Sequence, residues 1–157
     1  MEINLKKVLE KVAQYRGVII TDSINTERLI EAIIINYFVK ENKHSEFLMK
    51  CITDEYFSLG LKINTLERLN FSTYKQFFND IRRINKIRNI FAHCSLGSLD
   101  GALLFYDPNK KIHETRKVEE LHSEFLKKVK LVQDQLMKIF DNIVKENNEE
   151  TSKIQRN

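Results

Sequence analysis

The stretch Val118–Ile143, VEELHSEFLKKVKLVQDQLMKIFDNI, decides the fold. Its apolar residues Val118, Leu121, Phe125, Val129, Val132, Leu136, Ile139 and Ile143 step by three and four without a break, which is the repeat of one face of an α-helix. At 1.5 Å per residue the helix is about 40 Å long. Such a seam can pack along a bundle or against a second subunit. Beyond Glu146 the residues NNEETSKIQRN have almost nothing to bury and read as a polar, disordered tail over 147–157.

Moving towards the N-terminus, Phe77, Ile81, Ile84, Ile87 and Phe91 form a second inward stripe, with Ser72 and Thr73 as caps before it. Between Cys94 and Thr115 the helical period disappears. The segment GALLFYDPNKKIHET reads as two short strands around Asp107-Pro108-Asn109, or as an ordered loop. Earlier still, LKINTLERL after Gly60 is a short helical piece, and Ser45 caps a helix carrying Phe47, Leu48, Cys51, Ile52 and Tyr56. ERLIEAIIINYFVK is apolar on more than one side, as in a helix central to its bundle. The spacing of Leu5, Val8, Leu9, Val12 and Tyr15 predicts a separate first helix that stops at Gly17, and TDSIN supplies N-caps for the next.

Composition agrees. With 157 residues, one proline, four glycines and 42% hydrophobic residues, the chain is neither disordered nor rich enough in turns for an all-β fold. One domain is the natural expectation at this length. No apolar run approaches the ~20 residues that span a bilayer, and MEINLKKVLEKVAQYRG lacks the apolar core of a secretory signal. Two cysteines make no disulfide framework, so a reduced cytoplasmic protein with no membrane partner is expected. The reading is an all-α antiparallel bundle over residues 1–146, with a long C-terminal helix and a short β-hairpin or loop insertion at about 94–115.

The chemistry concentrates in Asp80–Cys94, DIRRINKIRNIFAHC. Arg82, Arg83, Lys86 and Arg88 fall within seven residues, and no acid occurs between Ile81 and Leu99. These four cations equal the formal net charge of +4. Because Ile81, Ile84, Ile87 and Phe91 take the inward stripe, the cations form a basic ridge. Such a ridge is either a solvated helix face or a track for phosphates. His93 lies five positions after Arg88, which at 100° per residue is about 140° round an ideal helix. The pair shares a face only if the helix loosens near His93, and the aperiodic CSLGSLDG directly after it predicts that it does.

A cation beside a group that titrates near neutral pH suits phosphoryl chemistry. RNA is cleaved when a 2′-hydroxyl attacks the adjacent phosphorus. That step needs a base, a cation for charge developing on phosphorus, and an acid for the leaving 5′-oxygen. It requires no metal or other cofactor. One Arg and one His are too few for all three tasks, but a two-fold dimer would supply each twice.

Arg88-Asn89-Ile90-Phe91-Ala92-His93 resembles the R-x4–6-H signature of the HEPN superfamily, in which a polar residue commonly comes directly after the arginine. Asp22, Glu27 and Glu31, then LGLKINTLERL, then INKIRNIFAH, resemble in order the pattern of mannitol-operon-regulator-like (MltR-like) HEPN proteins. The likeness covers about residues 21–94. It implies a HEPN-like antiparallel bundle that dimerises with its motifs facing one another. It also implies a metal-independent endoribonuclease of toxin–antitoxin or phage-defence type, held by a cognate antitoxin or other inhibitory protein. The alternative within the same family is a non-catalytic regulatory or scaffold protein. On this likeness Arg88 binds the phosphate, His93 transfers protons and Asn89 orients the site; the charge pattern adds Arg82, Arg83 and Lys86 as an RNA track.

Asp22, Glu27 and Glu31 either orient this site or set the bundle register by pairing with Arg88 or Lys62. Cys94, His113 and His122 lack zinc-site spacing, so no metal is expected. Cys51 reads as a small core residue.

Overall fold

The computed structural model describes residues 5–54, 57–93, 95–96, 102–107 and 112–154. Its helices are α1 (Leu5–Phe38), α2 (His44–Phe47), α3 (Leu59–Arg68), α4 (Phe77–His93) and α5 (Val118–Ile154). A π-helical turn, Leu48–Ile52, comes directly after α2. A three-stranded antiparallel sheet, β1 (Ser95–Leu96), β2 (Ala102–Asp107) and β3 (Ile112–Lys117), lies between α4 and α5. The fold is an all-α bundle with a small β insertion. No helix among the described residues is long and apolar enough to cross a membrane.

Both predicted stripes are buried. Every residue of the Val118-to-Ile143 seam is at most 4% exposed, and Phe77, Ile81, Ile84, Ile87 and Phe91 are at most 3%. The β2–β3 hairpin pairs Ala102 with Lys117 and Asp107 with Ile112, and its turn, at 108–111, lies outside the described residues. The insertion is larger than the two strands read from the sequence. Ser95 and Leu96 add a third strand against Leu104 and Leu103, and β3 runs directly into α5.

Three expectations change. First, Gly17 does not end a helix: α1 is continuous over 34 residues. A mid-helix glycine is unfavourable by about 1 kcal/mol relative to alanine, but Val12 and Ile19 are buried on either side of it. The cap-prone Ser23 and Thr26 are buried inside the helix, where Gln133 donates to the Thr26 hydroxyl at 3.1 Å. Second, α5 continues through Ile154, where a disordered tail was expected from 147. Asn147 donates from its side chain to the Asn36 carbonyl at 3.0 Å, and Ser152 donates to the Asn148 carbonyl at 2.9 Å. Third, Cys51 is exposed, while the next residue, Ile52, at the end of the π turn Leu48–Ile52, is buried.

The chain forms two compact units. The first joins residues 1–24 and 80–130. In it Asp80 pairs with Lys128 at 2.5 Å, and Arg83 grips Glu124 through Nε and Nη2 at 2.7 and 2.6 Å. One partner's number rises as the other's falls, so α4 and α5 run antiparallel. Lys11 pairs with Glu119 at 2.8 Å, and the Tyr15 ring stacks on His122 at 3.8 Å. Here the numbers rise together, so α1 runs parallel to α5. The second unit joins residues 25–79 and 131–157. Its pairings Thr26–Gln133 and Asn36–Asn147 also rise together.

Candidate functional site

Helix α4 carries the motif. Ile84, Ile87, Ile90 and Phe91 are buried along it, and this fixes its rotation about its own axis. Arg88 is half-buried, while Asn89, Ala92 and His93 are exposed. Arg88 Nη1 donates to Asn89 Oδ1 at 2.9 Å. A guanidinium has five N–H donors, and among the described residues no carboxylate pairs with that of Arg88. A permanently charged fork with most of its donors uncommitted can clasp two oxygens of one phosphate.

His93 is the last residue of α4. The helix stays regular up to it, and the loosening expected from the aperiodic sequence beyond does not reach the motif. The buried stripe, which runs through Phe91, holds the helix to within two residues of its end. Arg88 and His93 of one chain are therefore about 140° apart round the helix. Cys94 lies outside the described residues.

The other basic residues of the ridge separate. Arg82 and Lys86 are exposed. Arg83 is held in a two-pronged ion pair by Glu124, whose hydrogen bonds keep the guanidinium further above its usual range against the opposing effect of burial. Its fork is occupied by a carboxylate, and it joins α4 to α5.

The three acids of α1 also separate. Asp22 is half-buried and belongs to the first unit. Glu27 and Glu31 belong to the second, where Lys62 of α3 donates to both, at 2.7 and 2.6 Å. Lys62 is only 5% exposed. Burial opposes its charge, but hydrogen bonds and attraction from the two glutamates outweigh that, and its pKa lies above the usual lysine value. In this structure Glu27 and Glu31 fasten α1 to α3.

The α4–α5 clasp escaped the sequence reading, although a signal was there. Asp80 and Arg83 sit one turn apart on one helix, and Glu124 and Lys128 one turn apart on the other, with signs in matching order for antiparallel packing. The Tyr15–His122 stack had no such signal. Burial, with help from the Lys11 charge, pushes the His122 imidazole below the usual histidine value. Among the described residues its Nε2 is buried without a hydrogen-bond partner.

Charge is unequal between the units. The first holds fifteen Lys and Arg against ten Asp and Glu, the second eleven against twelve. The whole excess of positive charge belongs to the unit that carries Arg88 and His93. Among the described residues no three His, Cys, Asp or Glu side chains gather to hold a metal ion. Compared with known proteins, the chain matches no family model, no curated protein and no solved structure.

Proposed function

We propose that this protein is a HEPN-type endoribonuclease that cleaves RNA without a metal, in a site assembled from two copies of the chain. The observation that carries the reading is Arg88: half-buried on α4, hydrogen-bonded to Asn89 and to no carboxylate among the described residues. A cation left unneutralised in this way serves charge that arrives from outside the chain. The basic excess of the first unit supports RNA as the source of that charge.

The regular helix bears on the mechanism. Because Arg88 and His93 of one chain diverge by about 140°, Arg88 of one copy and His93 of a second would flank the scissile phosphate. Arg88 would stabilise charge on the phosphorus oxygens. His93 of the second copy would take the 2′-hydroxyl proton and pass it to the leaving 5′-oxygen. Asn89 would hold Arg88 in place, with Arg82 and Lys86 extending the contact along the strand. A role as the toxin of a toxin–antitoxin or phage-defence pair, in the cytoplasm and held by an inhibitory protein, belongs to the same reading.

The test is total RNA incubated in EDTA with wild type, Arg88→Ala and His93→Ala, with product ends analysed. Cleavage by wild type should leave 2′,3′-cyclic phosphates and 5′-hydroxyls. His93→Ala should be slower by about 10²–10⁴-fold, the usual size of general acid–base catalysis. Intact RNA with wild type, freed of any co-purifying protein, would overturn the proposal. The second reading, a non-catalytic MltR-like regulator, would then stand. It is favoured by the divergence of Arg88 and His93 on a helix that does not loosen.

A further inference from the structure

Helix α4 presents its motif residues on two separate faces. Arg82, Lys86, Asn89 and His93 are all exposed. They step by four, three and four, and at 100° per residue they share an arc of about 60°. Arg88 lies about 100–160° round from each of them. At 1.5 Å per residue the four form one line about 17 Å long, parallel to the helix axis. His93 thus stands at the end of the line that Arg82 and Lys86 begin. Asn89 links it to the other face, since its Oδ1 accepts from Arg88 Nη1 at 2.9 Å. The two amide N–H donors of Asn89 remain for an oxygen from outside, because neither is engaged among the described residues.

Such a line fits one nucleic-acid strand laid lengthwise. Arg82 and Lys86 are about 6 Å apart along the axis, close to the step between successive phosphates of an extended strand. Asn89 and His93 are separated by the same rise and bracket the place of a third phosphate. No acid between Ile81 and Leu99 interrupts the series. Contacts to phosphate position a strand without reading its bases. Attack by a 2′-hydroxyl needs the attacking and leaving oxygens in line across phosphorus, which an unpaired strand can adopt and a stacked duplex withholds.

We infer that single-stranded RNA runs lengthwise along α4, with successive phosphates on Arg82, on Lys86 and between Asn89 and His93. One copy therefore holds the strand and presents its own His93 to the third phosphate, while Arg88 of the other copy closes on that phosphate from outside the track. This placement rests on the nuclease reading. It adds the path of the substrate, its single-strandedness and the copy that holds it. The substrate is selected by unpaired length and not by base identity.

The experiment has a binding arm and a cleavage arm, both on the full chain with helix content checked by circular dichroism. Binding of an uncleavable single-stranded 2′-O-methyl oligonucleotide is followed by fluorescence anisotropy over a series of salt concentrations. Arg82→Gln with Lys86→Gln should make the slope of log affinity against log salt shallower by about 1.4, at ~0.7 per phosphate contact on a single strand. Lys127→Gln with Lys130→Gln removes the same charge from exposed positions of α5 and should leave the slope unchanged. For cleavage, Arg88→Ala and His93→Ala proteins are mixed, so that a mixed dimer holds one complete site. Adding Arg82→Gln and Lys86→Gln to the copy that keeps His93 should slow cleavage at least about tenfold, and adding them to the copy that keeps Arg88 should not. RNA annealed to its complement should be cut at least about tenfold more slowly than the free strand. An unchanged salt slope, an equal change in the α5 control, a loss that follows the Arg88-bearing copy, or equal cutting of duplex would each overturn the track. A wild type that binds with the expected slope and leaves RNA intact would overturn the nuclease reading and leave the strand on α4.

Discussion

Replacing Lys62 with Met tests what the buried ion pair contributes. The substitution keeps most of the apolar stem and removes only the ammonium, which leaves Glu27 and Glu31 without their shared partner. Their side chains are 27% and 16% exposed, against 6% for Lys62. Two charge-assisted hydrogen bonds, at 2.7 and 2.6 Å, are lost, each worth about 1.5–3 kcal/mol. Removing one member of a buried pair generally costs about 3–5 kcal/mol, because the remaining charge stays desolvated. For a chain of this size that lowers the melting temperature by roughly 10 °C. Urea unfolding monitored by far-ultraviolet circular dichroism measures it. Adding Glu27→Gln and Glu31→Gln should recover most of the loss, since no buried charge then lacks a partner. The pH dependence has a definite sign. With its pKa raised in the folded state, Lys62 stabilises fully below the usual lysine value, and that contribution fades as pH rises through the raised one. Wild type should therefore lose stability at strongly alkaline pH along a limb that Lys62→Met lacks. A loss below about 1 kcal/mol, or a triple variant no better than Lys62→Met, would refute the assignment of stability to this pair.

Two further outcomes are expected. Gly17→Ala should stabilise by about 0.5–1 kcal/mol and raise the melting temperature by about 2 °C. A β-carbon at that position meets nothing within 4 Å, so a neutral or harmful effect in a thermal scan would mean that α1 is not helical through residue 17. His122 is held below the usual histidine value; the folded state therefore resists protonation that the unfolded chain accepts, and stability falls as pH drops below about 6.5. His122→Phe keeps the ring against Tyr15 and should flatten the decline in urea midpoint between pH 7 and pH 5. An unchanged slope would assign the decline elsewhere.

Where a single element's own period carried the information, the sequence was readable to the residue. All eight positions of the α5 seam and all five of the α4 stripe are buried. Where two distant elements decide together, it was not. Gly17 and the TDSIN segment have the chemistry of a helix break, yet neighbours more than 100 residues away, such as Gln133 on Thr26, hold the backbone helical through it. The same applies to Arg83: its neighbours in sequence are cations and apolar residues, and its partner Glu124 is 41 positions away. The motif Arg88-Asn89…His93 could be found by residue type. Its geometry could not, because whether a helix ends before or after a histidine depends on the tertiary partners of the residues beyond it, here a strand pairing with β2.

The parallel course of α1 and α5 has a consequence for synthesis. Lys11 must find Glu119, and Asn36 must find Asn147, contacts 108 and 111 residues apart. Contacts of such high order form late, because the intervening chain must be closed before they stabilise anything. At 5–20 residues per second, α1 waits about 5–20 s for α5 to leave the ribosome. During that interval Ile19, Ile30, Ile33 and Ile34, each at most 2% exposed in the finished fold, lack their lengthwise neighbour. The nascent chain thus carries its most apolar helix without this long partner until α5 has been made, with α3 the neighbour that can reach Glu27 and Glu31 before then.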